Sequence, residues 1–300
     1  MKARDWTMLG AGAVLGAGAA WLLRGPSSAP AGALPSKVPV KPLSPYAPPR
    51  VPIVGPFLTA RPLTVDQLLA TCPTSAEIAE IHRDFNISFD PAVFRGVPVN
   101  QALASFPCTP GGSESNVLLG LYNLFRVAKL VTFDAPMPLL NTRNVYEWAR
   151  AQRFNFRVIA SPPGLSGSFA DPDTWTVWLS DNSLSWSFRR VGYDTSTGLG
   201  AYAFPAVIVH EGWHLVSGLD HNRTAQCTMD CRPIVDPSGI RGNTCGANDS
   251  SLSYGGAWAA SYWYNRWLAE HSGPYLSDAE KRASANNAAT VLRERICDPR

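Results

Sequence analysis

Charge is what this sequence has least of. Asp, Glu, Lys and Arg together make 16% of its 300 residues, with a formal sum of +3. The basic residues are scattered, so the concentrated positive face with which a nucleic-acid binder neutralises phosphates is missing. No internal repeat is visible. Apolar and aromatic side chains are abundant instead, at 45% and 10%. That is ample for the core of one large domain or two small ones.

Cysteines are few but even in number: Cys72, Cys108, Cys227, Cys231, Cys245 and Cys297. Six cysteines in an exported chain point to disulfides, with about 15 possible pairings that sequence does not choose between. The other reading is buried free thiols in a cytosolic enzyme. The N-terminus favours export. An apolar run from Trp6 to Leu23 follows Lys2 and Arg4 and ends at Arg24. As a helix it would reach about 27 Å, just enough to cross a hydrocarbon core. Residues 1–24 therefore read as a signal anchor, or as a signal peptide cleaved after the small residues Ala31-Gly32-Ala33. Positive charges lie on both sides of the run and leave its orientation open. The cysteines put the bulk of the chain outside the cytoplasm: membrane-anchored and facing the periplasm or cell surface, or secreted if the segment is cleaved.

Residues 25–63 carry eleven prolines, from Pro26 to Pro62. Such a stretch cannot sustain helix or sheet hydrogen bonding and favours extended polyproline II, which makes it a semi-rigid spacer. The folded part is expected over 64–300. Helices are expected at Thr64 to Thr71, Ser75 to Phe85 (with Thr74 and Ser75 as candidate caps), Ser115 to Leu130, Asn144 to Arg153 and Gly256 to His271. Strands are expected at Phe154 to Ala160 and Thr174 to Ser180, with a loop over 161–167 between them. The sum is a helix-dominated α+β domain with a small mixed sheet.

The chemistry concentrates in Phe204-Pro-Ala-Val-Ile-Val-His-Glu-Gly-Trp-His-Leu-Val-Ser-Gly218. Pro205 suits a first helical turn and Gly218 a left-handed exit. On the helix between them His210 and His214 are four residues apart, so both imidazoles share one face, one turn apart. That spacing suits two ligands of one tetrahedral zinc. Glu211, beside the first ligand, can take a proton from an activated water without itself ligating. The flanks, Val207 to Val209 and Leu215 to Val216, are apolar, as befits a buried helix.

Here the chain resembles the zincin metallopeptidases, whose signature is H-E-x-x-H on a buried helix. The resemblance covers about ten residues, and Thr174 to Ser180 is similar in style to the zincin edge strand. It implies a zincin-like fold, a bound Zn2+, Glu211 as general base and a protein or peptide substrate. The metzincin subgroup extends the motif with a glycine turn and a third histidine. This chain departs from that pattern: Gly218 and His221 each come one residue late, and Asp220 occupies the usual third-ligand spacing. His221 is the preferred third ligand, with Asp220 and Asp249 as alternatives. The gluzincin subgroup instead takes a Glu from a later helix, where this chain has Asp249, Ser253 and Tyr254. Tyr254 is a candidate for steadying an oxyanion. Cys227, Cys231 and Cys245 together with His221 offer a structural zinc site, but their irregular spacing and the exported setting favour disulfides. The alternative to a peptidase is a catalytically inactive zincin-fold envelope protein that binds or supports.

Overall fold

The computed structural model describes residues 63–104, 108, 116–160, 168–181, 184, 201–221, 233–235, 241–243 and 248–296. The N-terminal segment, the proline-rich stretch and the loop at 161–167 lie outside these residues, as do Cys227, Cys231, Cys245 and Cys297. Among the described residues no helix is long and apolar enough to cross a membrane. They form a helix-dominated α+β structure with a four-stranded mixed sheet.

Local signals set most helix starts. Helices α1 (Val65–Leu69) and α2 (Ser75–Asp84) each begin with a reciprocal capping box, Thr64 with Gln67 and Thr74 with Glu77. The box at Thr74 makes it, rather than Ser75, the cap of α2. A short helix α3 (Val99–Ala104) precedes α4 (Val117–Leu130), capped by Asn116. Every residue of α4 from Leu118 to Ala128 is buried, so this helix is the centre of the core. Its Arg126 is tolerated there because its guanidinium bonds Glu77, the Thr71 hydroxyl and carbonyl, and Asn123. A disulfide ties Cys72 to Cys108 across 36 residues of chain. By restricting the unfolded chain, a loop of that length contributes about 4 kcal/mol.

The sheet runs in the order β1-β2-β4-β3, from strands β1 (Asn86–Phe89), β2 (Asn155–Ile159), β3 (Phe169–Asp171) and β4 (Thr176–Ser180). β1 and β4 run parallel to β2, and β3 runs antiparallel to β4. Helices α3, α4 and α5 (Val145–Gln152) make the crossover between β1 and β2. The register aligns Ile87, Phe156, Val177 and Ala170 on the face turned to the core, as the period of two requires. On the opposite face Phe169 stacks on Trp178, and the Arg157 guanidinium lies over that indole. The strand expected at Thr174 to Ser180 is therefore interior, paired on both sides, and is not an edge strand. Among the described residues the two edges are β1 and the three-residue β3.

Helix α6 (Ala206–Ser217) is the HExxH helix. It starts one residue past Pro205, which is its N-cap, and ends at Gly218, whose φ of 65° is the left-handed exit. Gly212 lets it approach the rest of the core: a Cβ there would stand 2.6 Å from the Phe154 ring and 2.9 Å from Trp148. A hairpin of β5 (Pro233–Val235) and β6 (Arg241–Asn243) follows. Helices α7 (Ala257–His271) and α8 (Asp278–Arg295) then pack together, with α7 lying against α6.

Candidate metal centre

Of the five histidines, His82 bonds the Tyr122 hydroxyl and His271 pairs with Asp134. The other three converge. One nitrogen each from His210, His214 and His221 lies within 4.8 Å of the others. Helical spacing sets the first two on one face of α6. The third arrives because the chain turns back sharply after Gly218. That turn is pinned: Ser217 donates to the Trp213 carbonyl and accepts from Leu219 N–H, and the Tyr254 hydroxyl donates to the Asp220 carbonyl. Asp220 thus holds the turn through its backbone. The extra residue between His214 and His221 is absorbed in this turn.

Each imidazole is held from behind by its Nδ1. His210 Nδ1 is 3.0 Å from the Ser261 hydroxyl, on α7. His214 Nδ1 is 2.8 Å from the Leu219 carbonyl, and His221 Nδ1 is 3.3 Å from Asp249 Oδ1. A carbonyl only accepts, so His214 must carry its proton on Nδ1, and the Asp249 carboxylate draws the same tautomer at His221. In the neutral rings both Nε2 atoms then present lone pairs, yet they face each other at 3.2 Å. Two lone pairs at that distance repel unless a cation lies between or beside them. A tetrahedral zinc with Zn–N of about 2.0–2.1 Å has an N···N edge of about 3.3 Å, so the pair has the spacing of one such edge. His210 Nε2 is buried with no hydrogen-bond partner among the described residues. A donor set of three imidazoles, each fixed through its outer nitrogen, fits zinc.

Burial keeps the His210 and His214 rings neutral. It drives the His210 pKa well below the usual value, and repulsion from His214 and His221 adds to the effect. Burial, followed by repulsion from His221, brings His214 down to about 4. Neutral imidazole is the form that ligates. The sign has a consequence for stability. An unfolded histidine titrates near 6.5, so between about 6.5 and 4 the unfolded chain binds a proton at His214 that the metal-free fold refuses. Metal-free protein should lose about 3 kcal/mol through this group as pH falls across that window. Denaturant titrations at several pH values should show that slope in the wild type and a shallower one in His214→Ala.

Glu211 is 2% exposed, and its Oε1 finds no hydrogen-bond partner among the described residues. Burial raises its pKa well above the ordinary carboxyl value. Glu211, His214 and His221 line a cleft of about 160 Å³, whose apolar walls are Phe169, Ala170 and Pro172 from the edge-strand side and Leu215 and Leu219 from α6 and its turn. On the far side Trp258 closes the centre, 4.4 Å from the His210 ring and 5.9 Å from His221 between centroids. The Arg295 guanidinium covers the outer face of that indole. Spacing alone places Trp258 in an aromatic stripe; its contact with two histidines depends on the α6–α7 crossing.

Asp249 lies behind His221 rather than beside the other two rings, and Tyr254 meets the turn rather than the cleft. No family model, curated protein or solved structure matches the chain.

Proposed function

We propose that this chain is a zinc-dependent hydrolase of peptide bonds, with His210, His214 and His221 as ligands and Glu211 as general base. The observation that carries the reading is the convergence of three outer-nitrogen-anchored imidazoles beside a buried carboxyl whose Oε1 has no hydrogen-bond partner among the described residues. A catalytic zinc uses three protein ligands and leaves a fourth position open. When bound, zinc would polarise the scissile carbonyl and make a water nucleophilic near neutral pH. Glu211 would serve as the general base, accepting a proton from the attacking water and returning it to the leaving nitrogen. The apolar walls exclude bulk solvent and so strengthen each charge interaction in the cleft.

A peptide substrate is favoured by the edge position of β3 among the described residues. An extended chain can add to such an edge by main-chain hydrogen bonds while a side chain enters the neighbouring cleft. The walls suit an apolar side chain. The disulfide Cys72–Cys108 supports an oxidising, extracytoplasmic setting.

A peptide-library cleavage assay on the zinc-replete full chain tests the reading. Cuts should fall beside apolar residues, which should be preferred by about 10–200-fold over close analogues lacking a methylene or more. Chelation should stop them and added zinc restore them. Zinc-replete protein that cleaves nothing would favour a non-catalytic binding role.

A further inference from the structure

Asp249 is fully buried, and three elements fix it. Its Oδ1 lies 3.3 Å from His221 Nδ1. Its Oδ2 accepts the Ala259 N–H at 2.9 Å, in the first turn of α7. Its own N–H donates to the Arg295 carbonyl at 3.0 Å, at the end of α8, where it also bridges Ile296. The N-cap of α7 is Gly256, which has no side chain with which to cap. Asp249 therefore caps α7 from seven residues upstream and turns its other oxygen to His221. A buried carboxylate is costly unless its charge is met, and here a helix N-terminus and an imidazole N–H meet it.

Gly256 is the second half of the arrangement. Its φ of −77° and ψ of −169° are open to any residue, so conformation does not require glycine there. Space does: a Cβ would lie 2.6 Å from Asp249 Oδ1 and 2.7 Å from Oδ2 and Cγ.

We propose that Asp249 is a positioning residue that holds His221 in its ligating tautomer and orientation, and that Gly256 is glycine so that this carboxylate fits. The proposal rests on the reading of the three histidines as zinc ligands. Outer partners of this kind tune affinity by about 10–100-fold. An amide at 249 cannot accept from both His221 N–H and Ala259 N–H, since one of its two ends donates.

The test is zinc affinity of the full chain by competition with a chromogenic chelator, alongside the visible spectrum of the Co2+-loaded protein. Asp249→Asn and Gly256→Ala should each weaken zinc binding by about 10–100-fold. The Co2+ bands should shift, which a purely structural cap would not cause. Asp249→Ala makes room for the added methyl, so Asp249→Ala with and without Gly256→Ala should bind zinc equally. Wild-type affinity in Asp249→Asn, or the same loss from Gly256→Ala in both backgrounds, would overturn the proposal. A wild type that takes up no zinc removes the ligand reading as well, whereas normal zinc uptake with unaffected variants removes this inference alone.

Discussion

Glu211→Gln is expected to keep its zinc and lose hydrolysis by about 10²–10⁴-fold, the usual contribution of a positioned general base. Glutamine has nearly the same shape, so the apolar walls and the three histidines should stay in place, but its amide cannot take a proton. Metal content and kcat, measured on the same preparation, check this. The variant also carries a stability signature. Burial raises the Glu211 pKa well above its ordinary value. The stability it contributes is therefore present below the unfolded carboxyl pKa and is lost as pH rises through the folded one. At neutral pH the metal-free wild type bears the cost of a buried acid that Glu211→Gln avoids. Metal-free Glu211→Gln should thus melt above metal-free wild type, with the gap growing as pH rises. Loss of zinc along with activity would make Glu211 a ligand or a structural group instead.

His214→Ala should lose both metal and activity. It removes one of three ligands and frees the Leu219 carbonyl that anchors the turn bearing His221. Two ligands are then disturbed by one change, so the drop in zinc affinity should exceed the 10–100-fold expected at an outer partner. Competition titration reads the affinity, and the cleavage assay at saturating zinc reads the activity. Added zinc should not rescue the variant at concentrations that fully restore chelated wild type. Retained stoichiometric zinc in this variant would mean that the metal lies elsewhere.

The parts of this structure written in local pattern were legible in the sequence. The apolar stripe of α4, the Thr74 cap with Glu77, the strands β2 and β4 and the HExxH helix all follow from short-range periodicity and capping chemistry. Elements without such a pattern were not. β3 has three residues and pairs only because β4 lies beside it. β1 follows α2 after the single residue Phe85, with no glycine or proline to mark the break. Helix α8 is mostly polar, and its Ser277–Glu280 capping box is the one local mark of its start.

The site divides in the same way. His210, Glu211 and His214 sit on one helix, so spacing alone gives their mutual geometry. His221 was legible as a residue type near the right distance, but choosing among it, Asp220 and Asp249 requires the path of the turn after Gly218. That path depends on Ser217 and on Tyr254, a residue 34 positions from its partner Asp220. The outer supports, Ser261 for His210 and Asp249 for His221, are 51 and 28 residues away in sequence. No periodicity links them to the motif, and only the packing of α6 on α7 brings them there. Gly256 could have drawn notice as a helix cap, yet its role is to leave room for a side chain that sequence does not put beside it.

Three imidazoles holding one zinc is the arrangement on which the proposed chemistry depends. Elemental analysis of the purified full chain, joined to X-ray absorption at the zinc edge, tests it most directly. One zinc per chain is expected, with three nitrogen scatterers at about 2.0–2.1 Å showing the outer-shell pattern of imidazole and one water oxygen at the open position. Protein that stays free of stoichiometric zinc after exposure to the metal, or zinc bound through sulfur, would contradict it.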